Sequence, residues 1–235
     1  MALSRRNTLV GLSFILPNFV GFFIFVLIPV FFSLALSVAE WDGFNPMKFV
    51  GLDNFRAIFK DRVFRGSIWK TAYFSVFTVL FSMCASLGLA LLLNQKLKGK
   101  SIFRCAIFFP YVASNVAVAV VWNFLFRDIG PINTMLMKIG IQNPPGWTAS
   151  TKWVIPALII VNVWKESLYE AAKIDGAGSF QRFRSITIPM LTPSTFFVVM
   201  MLTINSFKVF DLVYLMTEGG PGNASTMMSQ YIYNQ

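Results

Sequence analysis

With 56% of its 235 residues hydrophobic and 13% charged, and a mean hydropathy of +0.64, the chain carries more apolar surface than a soluble domain of this size can hide, so it is expected to be an all-α, polytopic integral membrane protein. Its net charge of +10 then speaks for a bias among its loops and not for nucleic acid. It has no histidine and two cysteines, Cys84 and Cys105, far apart and in or beside apolar runs; both are expected to be small buried hydrophobes, and neither a metal site nor a catalytic constellation has the residues it needs.

Arg5 and Arg6 precede an apolar run over residues 9–38, which is too long for the core of a cleaved leader and is interrupted by Pro17 and Pro29. Residues 39–70 are mixed and polar, with Trp41 suited to the membrane interface. Further spans are expected over 73–93 and 102–126. The latter holds Pro110, Ser114 and Asn115, residues that a lipid-facing helix avoids. Between these spans, Gly99-Lys100-Ser101 resembles the end of a phosphate-binding loop. Position 94 is not the glycine that motif requires, and no strand precedes it, so this chain is not expected to hydrolyse ATP itself. The next apolar run, 153–164, would reach only ~18 Å as a helix, against a hydrocarbon core of ~30 Å.

Residues 166–190 form the one long polar interval. The stretch 168–174 favours a short helix, in which Ala171 and Ala172 permit close backbone approach, and Asp175, Gly176, Ala177 and Gly178 supply a turn. Phe180, Phe183 and Ile186 then share one face of a second short helix, which Pro189 ends. A helix-turn-helix this small cannot bury its own apolar face. It is expected to dock on a partner. A last span is expected over 196–216, carrying Asn205, Ser206, Lys208 and Asp211. At i, i+3, Lys208 and Asp211 should face one side and neutralise each other, either lining a water-filled cavity or forming a structural pair near the interface. Glu218-Gly219-Gly220-Pro221-Gly222 is expected to turn.

Basic residues are most in excess at the N-terminus (Arg5, Arg6), in the loop with Lys96, Lys98, Lys100 and Arg104, and in the polar interval with its flanking Lys165, where Lys173, Arg182 and Arg184 lie. The positive-inside rule places these three segments in the cytoplasm.

The run Glu170-Ala171-Ala172, then Asp175-Gly176-Ala177, then Pro189 resembles the Glu-Ala-Ala loop of binding-protein-dependent ABC transporter permeases. Gly-Leu-Asp-Asn-Phe at 51–55, Phe-Phe-Pro at 108–110, Gly-Pro-Ile-Asn at 130–133 and Phe-Asp at 210–211 before Thr-Glu-Gly-Gly-Pro are similar to the carbohydrate-uptake branch of that family. The resemblance implies a single helical permease domain over 1–235 in a bacterial inner membrane, with Glu170, Ala171, Ala172, Asp175, Gly176, Ala177 and Pro189 coupling it to a cytoplasmic ATP-binding subunit that holds ATP and magnesium. It further implies a second permease subunit, an extracytoplasmic solute-binding protein and a sugar-like solute. Ser114, Asn115, Asn205, Ser206, Lys208 and Asp211 are the expected pore-lining residues.

Relative to that family the apolar stretch after Trp164 is short, and one more helix would be expected beyond Gln235. Either the chain is a shortened variant or residues are omitted, in which case consecutive residues near Lys165–Glu166 would lie far apart. If the chain is continuous, the helix must run on through Leu168 and Tyr169. The competing functions are an assembly or regulatory subunit that does not transport, and an ion-coupled carrier, although the buried acids and inverted repeats of the latter are not found.

Overall fold

The computed structural model describes residues 5–93, 114–171 and 188–235. The chain divides into two compact units, residues 1–62 and 63–235.

In the first unit, helix α1 (Arg5–Phe22), a π-helical turn (Phe23–Leu27) and helix α2 (Ile28–Ser37) follow one another without interruption. Neither proline breaks the run, contrary to expectation. Pro17 lies inside α1, and Pro29 follows directly on the π-helical turn. Ile28 N–H reaches back to Phe23 O, a wider turn that absorbs the donor Pro29 cannot supply. The stretch Val10–Ser37 is long and apolar enough to cross a membrane, and none of it is buried inside the protein. Strands β1 (Ala39–Glu40) and β2 (Lys48–Phe49) pair antiparallel, Ala39 opposite Phe49, and the amphipathic helix α3 (Asp53–Lys60) follows.

The second unit opens with α4 (Arg62–Leu93). Its membrane-competent part, Arg62–Ala90, begins well before the expected residue 73, so Arg65 and Lys70 belong to a helix and not to a loop. Its inward stripe is hydroxylic: Ser67, Thr71, Ser75, Thr78, Ser82 and Ser86 are all buried. Small side chains let neighbouring segments approach closely where lipid gives no hydrophobic drive to pack. Cys84 is exposed on another face, which corrects the expectation of a buried thiol; Cys105 lies outside the described residues.

Helix α5 (Asn115–Leu125), α6 (Pro131–Lys138) and α7 (Val154–Ala171) come next. Gly130 and Pro131 open α6, and Asn133 fastens the connection behind it. Its Nδ2 donates to Arg127 O, Asp128 O and Pro145 O, each at 3.3 Å, while its Oδ1 accepts from Trp147 Nε1 at 2.8 Å. That accounts for a polar side chain only 1% exposed. Helix α7 runs on through Lys165, Glu166, Leu168 and Tyr169. Its 18 residues reach ~27 Å, close to the core thickness that the apolar run alone falls short of.

The expected last span is two helices. Helix α8 (Ile188–Phe207) has Pro189 in its first turn, and α9 (Asp211–Thr217) leaves it at an angle of 45°. Thr203 and Ser206 turn their hydroxyls back onto Val199 O and Thr203 O, a pattern that loosens a helix near its end. The Glu-Gly-Gly-Pro-Gly turn forms as expected, with Glu218 at φ 49° and Gly219 at φ 85°, and leads to α10 (Met228–Tyr233). A buried core joins Phe74 of α4, Val118 and Ala119 of α5, Leu158 and Val161 of α7, and Val213 and Met216 of α9.

Candidate functional site

A cavity of about 490 Å³ opens where α5, α7 and the α8–α9 break meet, lined by Asn115, Asn162, Lys165, Asn205, Lys208 and Asp211 above an apolar floor that includes Val118 and Val161. Its position follows from three helix ends. Ser114 caps α5 by accepting from Val116 N at 3.3 Å, which sets Asn115 in the first turn. Asn162 and Lys165, three residues apart on α7, share a face. The interruption at residues 208–210 frees Lys208 and Asp211 from a common helix and puts the carboxylate in the first turn of α9, where the helix dipole favours an anion.

The polar groups are connected. Asn115 Nδ2 donates to Asp211 Oδ2 at 2.9 Å, and Asn115 Oδ1 accepts from Lys165 Nζ. One amide thus links a cation from α7 to an anion from α9. The expected neutralisation of Lys208 by Asp211 is not seen: Asp211 takes its hydrogen bond from Asn115. The physical cause is the break, which removes the i, i+3 register on which that pairing rests. Lys208 is exposed instead. With two ammonium groups, one carboxylate and three amides, the cavity can donate and accept hydrogen bonds over its whole polar wall.

Four of the six expected pore-lining residues, Asn115, Asn205, Lys208 and Asp211, meet in this cavity. Ser114 is spent on the helix cap. Ser206 is buried and bonded to its own helix. Sequence reasoning missed Asn162 and missed Lys165 as a cavity residue, since it read Lys165 as a loop charge; the polar pair at i, i+3 at the end of an apolar run was the available signal. Of the expected coupling residues, Glu170 and Ala171 close α7 and Pro189 opens α8. Ala172, Asp175, Gly176 and Ala177 lie outside the described residues, as does Pro110. Among the described residues no group of His, Cys, Asp and Glu could hold a metal ion.

Residues 82–235 match the family described as binding-protein-dependent transport system inner membrane component. The chain is 34% identical to the probable ABC transporter permease protein YesP of Bacillus subtilis, over 98% of this chain and 81% of that protein. It is 35% identical to the lactose transport system permease protein LacF of Rhizobium radiobacter, over 99% and 85%. These alignments run over 251 and 254 residues, more than the 235 of this chain, so both relatives carry residues with no counterpart here. The fold matches a chain of the bacterial alginate ABC transporter solved in complex with alginate pentasaccharide-bound periplasmic protein, with a TM-score of 0.78 and 24% identity over 98% of this chain and 83% of that one.

Proposed function

The chain belongs to the family of inner membrane components of binding-protein-dependent transport systems and is the permease subunit of an ABC importer; we propose that its cavity at Asn115, Lys165 and Asp211 is a station on the path of a sugar or related polyhydroxylated solute. The observation that carries this reading is the Lys165–Asn115–Asp211 chain of hydrogen bonds, which holds two ionisable groups among membrane helices where charge is otherwise costly. The name of the lactose relative supports the solute class. An extracytoplasmic binding protein delivers the solute, a second permease subunit completes the pathway, and cytoplasmic subunits bind ATP with magnesium. The N-terminus and the Glu170 loop face the cytoplasm on the charge bias of the loops, and Glu170, Ala171, Ala172, Asp175, Gly176, Ala177 and Pro189 transmit the ATPase stroke.

The test is uptake of radiolabelled mono-, di- and oligosaccharides by proteoliposomes holding the complete complex, with and without ATP. ATP-dependent accumulation of one sugar, lost in Glu170→Lys while that variant still inserts in the membrane, is the expected result. Full transport by Glu170→Lys removes the coupling role, and absence of uptake for every sugar removes the solute class. A second reading, an assembly subunit that does not transport, is favoured by the residues that the relatives have and this chain lacks. It requires that the complex hydrolyse ATP without moving solute.

A further inference from the structure

The motif Gly51-Leu52-Asp53-Asn54-Phe55 takes no part in the cavity, and the geometry points to a separate role: we propose that α3 and the hairpin before it form an interfacial anchor, whose apolar face lies among the phospholipid headgroups of the leaflet in which the span Val10–Ser37 ends.

The first argument is depth. Asn54 Nδ2 donates to Ser37 O at 3.2 Å and to Ala39 O at 2.9 Å. Val50 N and Gly51 N both donate to Val38 O, at 2.9 and 3.1 Å. Three of the four end on Ser37 O and Val38 O, at the C-terminus of the first span, where a helix end leaves carbonyls without partners that lipid cannot satisfy, and the fourth ends on Ala39 O just beyond it. Gly51 makes the return possible, at φ +60°, a conformation that glycine adopts freely. The start of α3 is therefore clasped at the level where the apolar run stops.

The second argument is the face. Leu52, Phe55, Ile58 and Phe59 recur at spacings of three and four, while Asp53, Arg56 and Lys60 occupy the opposite side. Leu52 is 62% exposed, and in the adjoining hairpin Phe49 is 81% and Phe44 96% exposed. Water at such a surface is unfavourable, whereas the headgroup–acyl boundary accepts it.

The third argument selects lipid over protein. This apolar face follows directly on a span long and apolar enough to cross a membrane. Trp41 folds edge-on to Phe32 of α2, with ring centroids 5.8 Å apart, and indole is a side chain of the membrane interface. Lys48, Arg56 and Lys60 border the face and can reach anionic headgroups. The proposal holds whatever the cavity transports, so its outcome is separable from that of the transport assay.

The experiment uses the full chain in vesicles of phosphatidylethanolamine and phosphatidylglycerol. Single cysteines are introduced at Leu52→Cys, Ile58→Cys and Lys60→Cys in a Cys84→Ala, Cys105→Ala background, and each is labelled with an environment-sensitive fluorophore. Lipids brominated near the headgroup end of their chains should quench the probes at 52 and 58 about twofold more than the probe at 60, as expected for a helix lying in the interface. If Leu52→Cys fails to fold, Ile58→Cys reports the same face. Adding Asn54→Ala, which removes two of the four bonds of the clasp, should reduce the difference. Equal quenching on the two faces overturns the proposal, as does a blue-shifted probe at 58 that bromine does not reach, which is the signature of a protein occupant. Quenching that persists unchanged in Asn54→Ala overturns the clasp.

Discussion

Asn115 Nδ2 donates to Asp211 Oδ2 at 2.9 Å although 96 positions separate the two residues. The other end of the same amide accepts from Lys165. A neutral side chain thereby satisfies both charges and keeps them apart, so the cavity retains an anion and two cations instead of a collapsed ion pair. A solute entering there can exchange hydrogen bonds with groups already oriented by their partners.

Asn115→Leu should remove both links at once. A hydrogen bond to a charged group contributes ~1.5–3 kcal/mol, so the purified protein should lose several degrees of thermal stability in detergent and most ATP-dependent uptake in vesicles. Asn115→Asp should do less harm, because it restores a partner for Lys165 while repelling Asp211. A leucine variant equal to wild type in both assays would show that the network is idle.

Two glycines should respond oppositely to alanine. At Gly130 an added Cβ would meet Leu125 O at 2.6 Å, Arg127 O at 2.8 Å and Phe124 O at 2.9 Å. Backbone oxygens cannot step aside, so Gly130→Ala should disrupt the turn into α6 and lower the yield of folded protein. Gly88, inside α4, has nothing within 4 Å of such a Cβ. There Gly88→Ala should stabilise by ~0.5–1 kcal/mol through the smaller entropy loss of alanine in a helix. Thermal unfolding of the two variants side by side is the check.

The hairpin before α3 contains a pH-sensitive turn. Asp42 has its pKa lowered from 3.8 to about 2, first by the Asn45 backbone N–H, then by that of Phe44 and by the Asn45 side chain; the contacts are 2.8, 3.0 and 2.6 Å. A depressed carboxyl pKa stabilises the turn above the ordinary value and loses that effect as pH falls through the depressed one. The turn should thus persist at pH 4 and loosen as pH falls toward 2. Carbon-13 titration of the Asp42 carboxyl should give a midpoint near 2, raised in Asn45→Ala. A wild-type midpoint at the ordinary aspartate value means that the turn is not formed in solution.

Membrane class, the first span and the family were legible in the chain because each depends on neighbours in sequence: runs of apolar residues, glycines and prolines at turns, and short motifs. The same local reading placed Asn115, Asn205, Lys208 and Asp211 among polar residues with a purpose inside spans. It mistook Lys165 for a loop charge, since it ended the apolar run at Trp164, whereas the helix continues to Ala171. It also paired Lys208 with Asp211, because a straight helix is the default where neither proline nor glycine intervenes. Only the tertiary structure set the break at 208–210, where Asp211 gains the Asn115 amide and α9 buries Val213 and Met216 in the shared core. Contacts of this kind join residues 50 and 96 positions apart. No local periodicity encodes them, because they exist only after α5, α7 and α9 have packed.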